Sequence, residues 1–256
     1  MMKTFIDPPL QSEAPMSFDN VKALLFDTFG TVADWRGSIT RKGEQLAREK
    51  SLAEMDWDAF ARAWRAGYKP GMARVQSGER PWTAIDVIHR ERLDEILTDF
   101  GLDNAVSEDD RHAMNLWWHQ LDPWPDCVPG LTRLKRRYLL GTLSNGSIIG
   151  LAGMGKRAGL PWDFIFSSDL FKAYKRDAAV YLGAIDLLNL DPGETMMVAA
   201  HNDDLAAARS HGMRTAYIGR PYEYGSDQTN DFEPEEDWDV IGHSMALRRV
   251  FESRHS

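Results

Sequence analysis

The chain of 256 residues is 43% hydrophobic and 27% charged, the composition of a globular protein that buries a sizeable core, which excludes collagen-like, disulfide-scaffold and wholly disordered chains. Its 39 acidic against 30 basic residues give a net charge of -9, the wrong sign for gripping phosphate backbones over a broad surface, so no nucleic-acid partner is expected. The one cysteine, Cys127, makes neither an internal disulfide nor a thiolate metal cluster, and no run reaches the about 18 apolar residues that span a bilayer.

Residues 1–19 read as a loose N-terminal arm, because Asp7, Glu13 and Asp19 interrupt any signal-peptide core; the expectation is a cytoplasmic protein with no membrane contact. Apolar runs at Ala23–Phe26, Tyr138–Leu143, Thr195–Ala200 and Arg214–Ile218, with a weaker one at Phe164–Phe166, suggest strands buried on both faces. Helix-sized segments at 147–158, 177–188 and 204–211 alternate with the later runs, which predicts parallel strands with right-handed crossovers. The fold class is therefore α/β: a Rossmann-like three-layer core, residues 20–37 and 122–256. More than a hundred residues separate the first two runs, far more than a crossover needs. Helical patterns at 39–50, 57–67, 82–100 and 109–121, punctuated by Pro70-Gly71, Gly78 and Gly101, make that insert a helical cap, residues 38–121. It holds five of the nine tryptophans, Trp57, Trp64, Trp82, Trp117 and Trp118, read mainly as its core. The acidic stretch 227–239 reads as a solvated loop before a last short helix.

In an open parallel sheet the ligand lies beyond the carboxyl ends of the strands. That rule selects Asp27 in FDTFGT, Ser144 and Asn145 in LSNGS, Lys175 in AYKRD, and His201, Asn202, Asp203 and Asp204 in AAHNDDL. Singly, Ser144, Asn145, Ser147 and Asp204 are readable as helix caps or first-turn acids and Lys175 as one more exposed lysine. Together, and all at strand ends, they indicate one polar crevice. Asp27 resists the structural reading most, since an acid after a buried run needs donors or a cation to stay ionised.

These motifs, in this order and around a helical insert, resemble the haloacid dehalogenase superfamily from about residue 20 onward, and within it the L-2-haloacid dehalogenases. Phosphatase members carry a second acid two residues after the nucleophile, as general acid, and a magnesium-holding acid in the fourth motif. The corresponding residues here are Phe29 and Ala200, so no metal or other cofactor is expected, although Asp203 and Asp204 leave two acids for a weak cation site. The resemblance implies attack by Asp27 on the halogen-bearing carbon and an ester that water cleaves, turning an L-2-halo acid into a D-2-hydroxy acid. On this reading Lys175 is expected to keep Asp27 ionised, Thr31 and Ser144 to orient it, and Asp204 to be the base or water-positioner, with His201 and Asn202 assisting.

The small anionic substrate calls for local positive potential. Arg65, after Trp64, resembles the tryptophan-arginine pair that touches substrate or halide in this family; Arg36 is a second candidate cation. Asn145 is expected to bind carboxylate or halide, and Phe29 and Trp82 to form apolar walls. The pattern departs from the family at Arg176, where proline is usual, an exchange expected to change only the local turn. It departs again at Ala199, Ala200 and His201, which replace serine, serine and asparagine. A magnesium-dependent phosphatase and a non-catalytic binding module are the alternatives, and a homodimer is the expectation by analogy.

Overall fold

The structure, a computed structural model, describes residues 18–245. The expected arm falls almost wholly outside them, and no helix follows the acidic stretch within them. Six strands form one parallel sheet: β1 (Ala23–Phe26), β4 (Leu139–Ser144), β5 (Phe164–Ser167), β6 (Thr195–Ala199), β7 (Arg214–Ile218) and β8 (Val240–Gly242), in the order β5-β4-β1-β6-β7-β8. β2 (Ala33–Asp34) and β3 (Asp122–Pro123) form a separate antiparallel pair. β1 is central, with Phe26 in register with Thr142 of β4 and Val198 of β6.

Alternation along β1 sends Leu24 and Phe26 to one face and Leu25 to the other. The first face packs on Cys127, Leu131 and Leu134 of helix α6 (Cys127–Leu134). The second packs on α9 (Ala178–Leu188) and α10 (Asn202–Ser210) through Val180, Tyr181, Ala184, Ile185, Leu205 and Ala208. Both faces being covered, the strands read as unbroken apolar runs. α7 (Ile148–Ala158) follows β4, capped by the Ser147 side chain on Gly150 N–H, and the four-residue α8 (Ser168–Phe171) follows β5. The chain runs from β1 and β4 to β5 on one side, then crosses to β6 on the other, so the topological switch lies at the carboxyl end of β1.

Between β2 and β3 lie α1 (Trp35–Lys50), α2 (Trp57–Ala66), α3 (Tyr68–Gln76), α4 (Ile85–Asp99) and α5 (Glu108–Asn115). Trp57, Trp64, Trp117 and Trp118 pack together there with Phe60, Leu93, Ile96 and Leu97. Besides the four-residue α8, helices α3 and α6 went unforeseen. Each has a Pro-Gly pair in its first turn, Pro70-Gly71 and Pro129-Gly130, and a proline there sacrifices no hydrogen bond because first-turn N–H groups have no intrahelical partner. Among the described residues no helix is long and apolar enough to cross a membrane.

Candidate active site

Asp27 follows β1 directly, and a tight turn folds the chain back on it: Val32 and Ala33 N–H donate to Thr28 C=O at 3.0 and 2.9 Å. The turn brings the Thr31 hydroxyl to Asp27 Oδ2 at 2.8 Å while Thr31 Oγ1 accepts from Ala200 N–H at 2.9 Å, which fixes its proton toward the carboxylate. Lys175 Nζ lies 2.8 Å from Asp27 Oδ1 and 2.5 Å from Asp204 Oδ2. His201 Nδ1 stands 3.1 Å from Asp27 Oδ2, and its Nε2 is 3.0 Å from Glu223 Oε2.

Burial by itself would raise the Asp27 pKa, but Lys175 and His201 hold it far below the usual carboxylate range. Burial would likewise discharge Lys175, yet Asp204 and Asp27 keep it above its ordinary value. The same contest raises His201 well above 6.5, burial being outweighed by Glu223 and Asp27. With a carboxylate at each ring nitrogen, only the doubly protonated imidazolium donates to both.

A cavity of about 270 Å³ opens on Asp27, walled by Phe29, Arg65, Tyr68, Lys69, Met72, Asn145, Lys175, Arg176, His201, Asp203 and Tyr224 among others. The insertion supplies Arg65, Tyr68, Lys69 and Met72, the sheet side most of the rest. Arg65 lies over the Tyr68 ring at 4.1 Å, and its Nη1 is a buried donor with no hydrogen-bond partner among the described residues. Asn145 accepts from Lys175 N–H at 2.8 Å, and its amide donates to Met72 Sδ at 3.3 Å, a weak acceptor that a ligand anion can displace.

The strand-end residues thus meet, but several do other work than their positions suggested. Ser144 is fully buried; its hydroxyl accepts from Gly146 N–H at 3.4 Å and makes no hydrogen bond to Asp27. Asp204 is fully buried, with Lys175 on one oxygen and Tyr181 OH (2.6 Å) and Arg176 Nη1 (3.5 Å) on the other, so it anchors Lys175 without lining the cavity. Asn202 is committed to the 231–238 segment: its amide donates to Asp231 Oδ1 and Glu233 C=O and accepts from Glu235 N–H and Trp238 Nε1–H. Trp82 packs on Tyr174, ring centroids 4.8 Å apart, in a small cluster beside the cavity, not along it. Arg36 pairs with Asp58 and donates to the Tyr222 and Glu223 carbonyls, also outside the cavity. Arg176 does more than reshape a turn, pairing with Asp203 and Asp204.

Glu223 and Tyr224 were missed, and nothing in GRPYEYG marks them, since they sit in a loop more than 190 residues from Asp27. Tyr181 was legible in part: Val180, Tyr181, Ala184 and Ile185 form one buried helix face, and a hydroxyl on such a face needs a partner.

Comparison with known proteins places this architecture. The family of haloacid dehalogenase-like hydrolases matches residues 21–212, and the chain belongs to that family; it is a hydrolase. The chain is similar to an (S)-2-haloacid dehalogenase of Pseudomonas sp. (strain YL), 32% identical over 240 residues, covering 91% of this chain and 94% of the relative. It is also similar to (S)-2-haloacid dehalogenase 4A of Burkholderia cepacia, 28% identical over 220 residues, covering 80% of this chain and 87% of the relative. Among solved structures, a defluorinating L-2-haloacid dehalogenase superposes with a TM-score of 0.86 at 44% identity, covering 90% of this chain and 95% of the other.

Proposed function

We propose that this protein hydrolyses short L-2-haloalkanoic acids to D-2-hydroxy acids through an ester on Asp27, without a metal, with the insertion, residues 38–121, acting as the cap. The observation that carries the reading is an ionised Asp27 opening on a small cavity whose cations, Arg65, Lys69, Lys175, Arg176 and His201, suit an anionic substrate and an anionic leaving group. The relatives described above carry the names (S)-2-haloacid and L-2-haloacid dehalogenase, which supports this substrate class. Phe29 stands where a phosphate leaving group would need an acid, and the Lys175 ammonium already bridges the Asp27 and Asp204 carboxylates.

Asn145 and the Arg65 guanidinium, whose Nη1 has no hydrogen-bond partner among the described residues, receive the substrate carboxylate and the halogen. Asp27 attacks the carbon opposite the carbon-halogen bond; that bond breaks, its electron pair leaves with the halide, and configuration inverts. Water then attacks Asp27 Cγ, passing a proton to Lys175 as Lys175 passes one to Asp204. Asp204 thereby takes the proton indirectly, which suits its burial.

Halide release from racemic 2-chloropropionate in the presence of a chelator tests the reading. Release that stops near half conversion with the L enantiomer consumed is expected. No release from 2-chloropropionate, chloroacetate or fluoroacetate, with phosphate-ester hydrolysis once magnesium is supplied, overturns it.

A further inference from the structure

The two oxygens of Asp27 are held unequally. Oδ1 faces one donor, Lys175 Nζ at 2.8 Å, whereas Oδ2 faces two, Thr31 Oγ1 at 2.8 Å and His201 Nδ1 at 3.1 Å. The oxygen with fewer donors keeps a lone pair for attack on carbon, so Oδ1 becomes the ester oxygen and Oδ2 the ester carbonyl. When water adds to Cγ, the electron pair of that carbonyl moves onto Oδ2, where Thr31 and His201 already point.

His201 is useful there only while it stays charged and aimed, and forming the ester removes the negative charge of Asp27. The remaining carboxylate on the ring is Glu223, 1% exposed, its Oε1 and Oε2 lying 3.2 and 3.0 Å from His201 Nε2. Glu223 is itself fixed. Trp35 Nε1 donates to its Oε1 at 2.9 Å, and the backbone of Gly30, at φ +90°, lies so close that a Cβ there would fall 2.1 Å from Oε1. Glu223 does not line the cavity.

We propose that Glu223 is a positioning residue for ester hydrolysis: by orienting His201 and holding it as a cation after Asp27 is esterified, it stabilises the oxyanion on Oδ2, and it contributes little to halide displacement. The inference rests on the dehalogenase reading above. In the step concerned, the water oxygen bonds to Cγ and the Cγ–Oδ1 bond breaks. Oδ1 leaves on the hydroxy acid, which takes back the proton held by the Lys175–Asp204 pair. The second water proton goes to solvent as Asp27 returns to a carboxylate carrying the water oxygen.

Glu223→Gln keeps the shape and removes the charge. With L-2-chloropropionate in a rapid-quench experiment, the variant is expected to release one halide per active site in a burst within about 3-fold of the unmodified rate, then turn over on the order of 10- to 100-fold more slowly. Intact-mass analysis should show the ester-bearing protein as the main steady-state species. In a His201→Asn background the same change should add less than about 2-fold, because the charge acts through the ring. A burst slowed as much as turnover, no ester build-up, or an undiminished effect without His201 overturns the proposal. Should Glu223→Gln fail to fold, His201→Asn alone must show the burst and the ester, and their absence overturns it equally. An unmodified enzyme that releases no halide defeats the dehalogenase reading itself, a different and separable result.

Discussion

His89 in the insertion and His201 at the sheet rim are both buried, 2% and 8% exposed, yet their surroundings shift their pKa values in opposite directions. His89 stacks on Trp118 at 4.3 Å and on Tyr68 at 5.9 Å, and neither ring nitrogen has a hydrogen-bond partner among the described residues. Burial, with the nearby Arg65 charge, outweighs Asp86 and pushes its pKa down to about 3. His201 has equal cause to lose its proton and keeps it, because Asp27 and Glu223 meet its two nitrogens. The lesson is that burial sets what a charge costs, while the carboxylates in contact decide whether the charge is present. The insertion holds a ring among aromatic side chains that leave it without a proton; the sheet rim holds a cation against the Asp27 carboxylate.

Asp27→Asn breaks the comparison most severely. It should cut turnover on the order of 10⁴-fold or more while leaving the fold intact, measured as halide release beside circular dichroism. It also takes one carboxylate from His201, so the imidazole resonances of His201 should titrate at lower pH than in the unmodified protein. Full activity would remove Asp27 from the chemistry, and an unchanged His201 titration would mean that Glu223 alone sets the ring's charge.

Next in size is the stability carried by His201. Its folded pKa lies above the unfolded 6.5, so its contribution is fully present below pH 6.5 and is lost as pH rises through the folded value. His201→Asn should therefore cost on the order of 3 kcal/mol at pH 6, the scale of breaking a buried ion pair, with the gap to the unmodified protein closing in alkali. Urea midpoints across pH check this; a gap that widens in alkali reverses the assigned charge.

How far these sites were legible follows the same division. Asp27, Lys175 and His201 could be found because each directly follows a buried strand or lies in a short loop near one, and the chain's alternation fixes where strand ends go. The partners that set their charges could not be. Glu223 reaches His201 across a non-repetitive loop, and its access depends on Gly30, a residue whose role is the room it leaves. Asn202 misled for a related reason. It sits at a strand end among residues that line the cavity, but its amide has four partners in the 231–238 segment, a region with no periodicity to place it. Helix α3 was hidden by the Pro70-Gly71 pair, which punctuates a chain only when it falls beyond a first turn.

The smallest expected effect tests the other histidine. With a folded pKa near 3 and an unfolded value near 6.5, His89 makes the unfolded chain bind a proton that the native state refuses. Stability must then fall with acid by up to about 1.4 kcal/mol per pH unit below 6.5, the opposite sign to His201. His89→Phe keeps a flat ring between Trp118 and Tyr68 and removes two buried nitrogens without partners. The variant should match or exceed the unmodified protein at pH 8, and its advantage should grow steadily as pH falls from 6.5 to 4, because every other acid-sensitive group is common to both. Parallel curves over that range would mean that His89 takes up its proton in the folded protein, and that the insertion, like the rim, provides it with a partner.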